Sequence, residues 1–118
     1  MSSFKKHLKS YQFALNGIWK AFRFEPNMRI HLAAAGLVIL LNYLLQVNQV
    51  EWLITIILIG LVWMAEIFNT ALEKLADRVS MKQDKLIGQA KDLAAGAVLI
   101  ICLIAIVCAL IIYLPYLF

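Results

Sequence analysis

Glu66-Ile67-Phe68-Asn69-Thr70-Ala71-Leu72-Glu73-Lys74-Leu75-Ala76-Asp77 follows the uncharged apolar run Trp52 to Ala65 without a break. Neither Gly nor Pro occurs between Leu61 and Asp77. The stretch therefore reads as one continuous helix that leaves an apolar medium as it proceeds. At about 100° per residue, Asn69, Glu73 and Asp77 all fall within roughly 60° of Glu66. Three acids and an amide share one stripe, and its first member is at membrane depth. An ionised carboxylate in hydrocarbon costs at least ~2.5–3.5 kcal/mol, so such a residue is ordinarily kept because it works. A polar stripe that joins helices, or a helix end reaching water, is the competing reading of Glu66. A stripe of four members rather than one favours function.

Composition agrees with a membrane chain. Of 118 residues, 64% are hydrophobic, against about 45–50% in ordinary soluble domains. A chain this short cannot hide that much apolar surface in a globular core. The class is an integral membrane protein of one domain. Cys102 and Cys108 both lie in the last apolar run and read as small apolar residues, with no disulfide or metal framework. The net charge of +4 comes from basic residues that flank apolar spans, which argues against a nucleic-acid surface. Lys5, Lys6 and Lys9 are not followed at once by an apolar run and cleavage site, so the N-terminus does not read as a signal peptide.

The expected fold is all-α and integral to the membrane: three transmembrane helices plus an N-terminal amphipathic surface helix, packed as a helical bundle. In residues 2–24, Phe4, Leu8, Tyr11, Leu15, Ile18 and Phe22 recur at spacings of three and four, with Lys5, Lys6, Lys9, Lys20 and Arg23 among them. Such a helix lies flat in the membrane interface; Gly17 is a candidate bend or close contact. Glu25-Pro26 breaks it, because the residue before proline disfavours the α region and Pro suits a new first turn. The spans are expected over residues 27–46, 51–77 and 89–115. Asn42, alone in the first span, reads as an interhelical hydrogen bond. Residues 79–88 read as a polar connection. Ala94 to Ala97 are small and invite close helix packing.

Orientation follows from Lys and Arg. All eleven basic residues fall within residues 1–29 and 74–91, and the turn at 47–50 has none. That side is expected to be cytoplasmic, with the N-terminus inside and the C-terminus outside. The acidic end of the second span, Glu25 and the 79–92 connection then meet at the face where nucleotides are found. Glu25 beside Glu73 would suit Mg²⁺, which takes one or two carboxylates plus substrate phosphates. Lys82, Lys85 and Lys91 could meet the phosphates. Glu66, two turns deeper, suits a general base for a hydroxyl. A base at lipid depth and a metal at the surface fit phosphoryl transfer from a soluble donor to a lipid alcohol, a reaction that needs mainly positioning and charge neutralisation. No Walker motif, kinase Gly-rich loop or Rossmann fingerprint is present.

These residues also resemble a family. Glu66-x-x-Asn69-Thr70-Ala71-x-Glu73 with Asp77, then Ala90-Lys91-Asp92-x-Ala94-Ala95-Gly96-Ala97-Val98, and Glu25-x-Asn27-x-Arg29-Ile30-His31, are similar to the bacterial diacylglycerol kinase/undecaprenol kinase family of small membrane lipid kinases. The resemblance runs from about Tyr11 to Pro115. It implies a homotrimer in the bacterial inner membrane, with sites at subunit contacts, ATP as phosphoryl donor and Mg²⁺ as cofactor. Glu66 would be the base on the lipid hydroxyl, and Glu25 and Glu73 would hold Mg²⁺ with the ATP phosphates. Asn69 would orient the site. Lys91 and Asp92 would contact the nucleotide, with Lys6, Phe13, Lys82 and Asp84 as further ATP contacts. Arg29 and Trp52 would meet the lipid together with Glu66.

Two departures bear on the substrate. Proteobacterial diacylglycerol kinases carry a second glutamate where this chain has His31, and a tyrosine where it has Phe13. Lys82, Gln83 and Asp84 also leave the family's pattern. The Asn-x-Arg-Ile-His pattern and Glu51-Trp52 are closer to the undecaprenol kinase branch, so undecaprenol is favoured over diacylglycerol. His31 itself reads as a helix-end hydrogen-bonding residue rather than a ligand. Two other classes stand beside a lipid kinase: a proton-coupled transporter, with the membrane glutamate as carrier, and a non-catalytic assembly protein. A carrier acid must be reachable from both sides and needs no cluster of acids at one face.

Overall fold

A computed structural model describes residues 2–79 and 84–118. Lys82 and Gln83 lie outside the described residues. Within these the chain forms four helices: α1 (Ser3–Phe24), α2 (Pro26–Leu45), α3 (Gln49–Val79) and α4 (Lys85–Leu117). The last three are long and apolar enough to cross a membrane.

Each helix end has a local cause. At α1 the Ser2 hydroxyl accepts from the Lys5 amide at 3.2 Å, which satisfies one of the free N–H groups of a first turn. Glu25 is extended at φ −100°, ψ 115°, as a residue before proline must be, and Pro26 then opens α2. Gln46 closes α2 in the left-handed region at φ 54°, with its N–H on the Asn42 and Tyr43 carbonyls. Asn48 and Glu51 cap α3 reciprocally. The Glu51 N–H donates to Asn48 Oδ1 at 2.8 Å, and the Asn48 N–H donates to Glu51 Oε1 at 3.1 Å. That is the two-way arrangement of a capping box.

The start of α4 corrects the expectation. The polar residues after Asp84 are helical from Lys85, ahead of the expected start near residue 89. Asp84 Oδ1 accepts from the Leu86 and Ile87 amides at 2.9 and 3.2 Å, so the cap sets the boundary and polarity does not. Gly17 is a second correction. Helix α1 runs through it and nothing lies within 4 Å of a Cβ built there, so within one chain it is neither bend nor close contact. The same is true of Gly96. Gly96 and Ala97 line an open hollow with Asp92 and Leu93, while Ala94 is half-buried.

The helices α2, α3 and α4 alternate in direction, with α3 in the middle. Asn42 of α2 is 1% exposed and ties all three together. Its Nδ2 donates to Thr55 Oγ1 on α3 at 2.8 Å. Its Oδ1 accepts from the Tyr113 hydroxyl on α4 at 2.5 Å. Val47, Ile112 and Tyr113 bury together beside it, with Trp52 against them. The Tyr116 hydroxyl donates to Glu51 at the same end. Hydrogen bonds between membrane helices average about 0.6 kcal/mol and reach about 1.7. Tyr113→Phe leaves Asn42 Oδ1 without its donor, so stability in detergent falls by about 0.6–1.7 kcal/mol; thermal unfolding of the purified protein measures it. Elsewhere the large apolar side chains, Leu37, Ile57 and Ile106 among them, are exposed, as suits surfaces that lipid or another subunit covers.

Helix α1 stands apart from this bundle. Of its residues only Ala21 is buried, and Phe4, Leu8, Tyr11, Phe13 and Leu15 are exposed. Its C-terminal end is held by Phe22, which meets Trp63 of α3 edge to face with ring centroids 4.9 Å apart.

Candidate active site

Glu66 is buried, 4% exposed, although it carries a carboxylate. It does not face lipid. The first turns of α2 run antiparallel against it and supply a partner for each oxygen. Asn27 Nδ2 donates to Oε1 at 3.4 Å, and His31 Nε2 lies 3.5 Å from Oε2. A buried acid needs such partners, since desolvation without them is expensive. Asn27 and His31 are four residues apart and so share one face of α2. The Trp63 indole N–H donates to the His31 carbonyl at 3.5 Å, which anchors that face to α3.

One to three turns farther along α3 the stripe opens to the surface. Asn69 Nδ2 donates to Glu73 Oε1 at 3.4 Å, while Asn69 Oδ1 is buried with no partner. Asp77 takes Lys91 of α4 at 2.8 Å, and Glu73 adds to the negative field at that ammonium. Asp92 is exposed on α4 and lines the open hollow there with Gln89 and Gly96. Glu66 and Glu73 are separated by about 10 Å along the helix axis at 1.5 Å per residue. That space is the size of a hydroxyl plus a phosphate group.

Glu25 and Glu73 do not share a face of α3 within one chain. Glu25 pairs with Lys74 at 3.2 Å and lines a hollow with Ile67, Thr70 and Ala71. Residue 73 is about 100° round the helix from residue 74, on the Asn69 side. A metal shared by these two carboxylates therefore calls for Glu25 of one copy and Glu73 of another, or for Lys74 to give way. No group of three or more His, Cys, Asp and Glu able to hold an ion occurs among the described residues. Glu73 and Asn69 nonetheless suit Mg²⁺. Both offer hard oxygens one turn apart, and Asn69 Oδ1 is an unpartnered acceptor. Mg²⁺ keeps most of its ligands as water and phosphate and takes few from protein.

Other expected site residues are distant or engaged. Trp52 packs at the opposite end of α3, about 21 Å along the axis from Glu66. Lys6 and Phe13 lie on the exposed length of α1, about 28 and 18 Å from Glu25 along the helix. Arg29 is exposed at the start of α2, one turn from Glu25. Asp84 caps α4. Conversely, Asn27, His31 and Lys74 touch the acids, and the sequence reading had not placed them there. The spacing of Asn27 and His31 at the mouth of a span was the available signal.

Below His31 an apolar cavity of about 110 Å³ runs between the three spans, lined by Ala34, Ala35 and Val38 of α2, Leu58 and Val62 of α3, and Ala105 and Ala109 of α4. The buried carboxylate thus stands between an apolar hollow on one side and a polar, acid-rich surface on the other.

Comparison with known proteins gives this arrangement a family. A family model described as prokaryotic diacylglycerol kinase matches residues 12–113. The undecaprenol kinase of Bacillus subtilis is 38% identical over 110 residues, covering 93% of this chain and 89% of the relative. The diacylglycerol kinase of Haemophilus influenzae is 31% identical over 101 residues, covering 85% and 86%. That of Escherichia coli is 28% identical over 106 residues, covering 90% and 87%. The chain belongs to the prokaryotic diacylglycerol kinase family.

Proposed function

We propose that this protein transfers the γ-phosphoryl group of ATP, with Mg²⁺, to the hydroxyl of a membrane lipid alcohol, undecaprenol in preference to diacylglycerol. The observation that carries the reading is the buried, doubly partnered Glu66 between an apolar cavity and the acid-rich end of α3. Neither a transporter nor an assembly protein needs that one-sided arrangement. The preference for undecaprenol is supported by the 38% identity to the Bacillus subtilis undecaprenol kinase and by the Asn-x-Arg-Ile-His pattern, closer to that branch, whose Asn27 and His31 meet at Glu66.

In this reading the lipid hydroxyl reaches Glu66 from the membrane side. Glu66 takes the hydroxyl proton, the alcohol oxygen forms a bond to the γ-phosphorus, and the bond from that phosphorus to the β–γ bridging oxygen breaks. ADP leaves with the bridging oxygen. Glu73 and Asn69 of one copy, with Glu25 of another, would hold Mg²⁺, which when bound would neutralise charge on the phosphates. Lys91 and Asp92 border the nucleotide, with Lys91 held in place by Asp77. Burial of Glu66 keeps competing water from the base. The proposed setting is the inner membrane of a bacterium, with the acidic face cytoplasmic, and the proposed assembly is a homotrimer. The separate faces taken by Glu25 and Glu73 support sites shared between subunits.

The test is γ-labelled ATP with purified protein in micelles that hold undecaprenol and diacylglycerol in competition. Labelled undecaprenyl phosphate as the main product is expected, with turnover lost on chelation of Mg²⁺. Label mainly in phosphatidic acid would reassign the substrate, and label in neither lipid would end the kinase reading.

A further inference from the structure

We infer that His31, with Asn27, is a positioning residue for Glu66: the two side chains meet one carboxylate oxygen each and hold the acid aimed at the lipid hydroxyl. The inference rests on the proposed role of Glu66 as base and goes beyond it by naming what makes that base effective.

The geometry is specific. His31 Nε2 is 3.5 Å from Oε2, and Asn27 Nδ2 is 3.4 Å from Oε1. Both come from a single face of α2, one helical turn apart, so the carboxylate is gripped by a rigid element and not by a loop. Two further contacts fix that element where it meets α3. The Trp63 N–H reaches the His31 carbonyl, and Phe22 packs edge to face on Trp63. His31 also lines the apolar cavity. Its ring therefore lies where the hydroxyl end of a lipid in that cavity would approach.

The chemistry follows from placement. A general base must be aimed at the proton it takes. Glu66 is 4% exposed, with a contact from α2 on each oxygen, and those contacts fix the direction in which its carboxylate faces. Partners that orient metal-ligating groups are worth about 10–100-fold, and an effect of the same order is expected for partners that orient this base. The effect falls on turnover, because neither side chain is placed at the nucleotide end of the stripe.

The test compares His31→Leu, His31→Gln, Asn27→Ala and Glu66→Gln, each purified as full-length protein in detergent micelles. His31→Leu is expected to lower kcat by about 10–100-fold with KM for ATP unchanged. His31→Gln retains an N–H donor and recovers most of the loss. Asn27 is exposed, so Asn27→Ala folds normally and shows a smaller loss of the same kind. Near-normal kcat in His31→Leu or in Asn27→Ala, with Glu66→Gln inactive, would overturn the inference and leave the base intact. An equal loss in His31→Leu and His31→Gln would also overturn it, since packing and not donation would then be at stake. Activity retained in Glu66→Gln would instead remove the base itself.

Discussion

Glu66→Gln reduces turnover by about 10²–10⁴-fold, the range that a positioned general base contributes, while helical content and thermal midpoint remain near those of the parent. The amide keeps the shape of the carboxylate: its oxygen can accept from Asn27, and its NH2 can meet His31 in the tautomer whose Nε2 accepts. It cannot take a proton from an alcohol. The loss therefore belongs to the chemical step, with KM for ATP little changed, because the nucleotide end lies about 10 Å farther along α3. In free-energy terms this is about 3–5 kcal/mol of transition-state stabilisation. Steady-state phosphorylation of the lipid in micelles, with circular dichroism of the same samples, measures both halves. Turnover within a factor of a few of the parent would place the base elsewhere.

Glu73→Ala lowers kcat/KM for Mg·ATP by about 10²-fold or more and raises the Mg²⁺ concentration needed for half-maximal rate. Its carboxylate stands one turn from Asn69, whose Oδ1 is buried and unpartnered, and the pair presents hard oxygens to a cation. Glu73 acts through the cation it would hold, and loss of one such stabiliser of developing phosphate charge typically costs about 10²–10³-fold. Structure should be spared, because Glu73 is exposed and its recorded partner is Asn69 of its own helix. A titration of rate against Mg²⁺ at fixed ATP decides the matter. A parallel drop in rate with an unshifted metal midpoint would give Glu73 a role other than holding the ion.

Much of this molecule was legible in its sequence. The three spans were, because long uncharged runs admit few alternatives once 64% of a short chain is hydrophobic. The break at Glu25-Pro26 was, because proline constrains its predecessor. Asn42 was read as an interhelical hydrogen bond and makes two, to Thr55 and Tyr113. Where boundaries were misread, a single capping side chain outweighed average polarity, as Asp84 does at the start of α4.

The site divides differently. The stripe from Glu66 to Asp77 is a property of one helix, and 100° per residue is enough to find it. Which partner each acid meets is not. Glu25 goes to Lys74, Asp77 to Lys91, and Glu66 to Asn27 and His31. By itself, then, the sequence determined a membrane chain of three spans with an acidic stripe at one mouth, since hydropathy and helical period act within single segments. Only the packing of α2 and α4 against α3 decided that Glu66 is buried between an amide and an imidazole, and that Glu25 and Glu73 take separate faces. Those outcomes depend on the rotation and register of one helix against another, which no spacing along a single helix encodes.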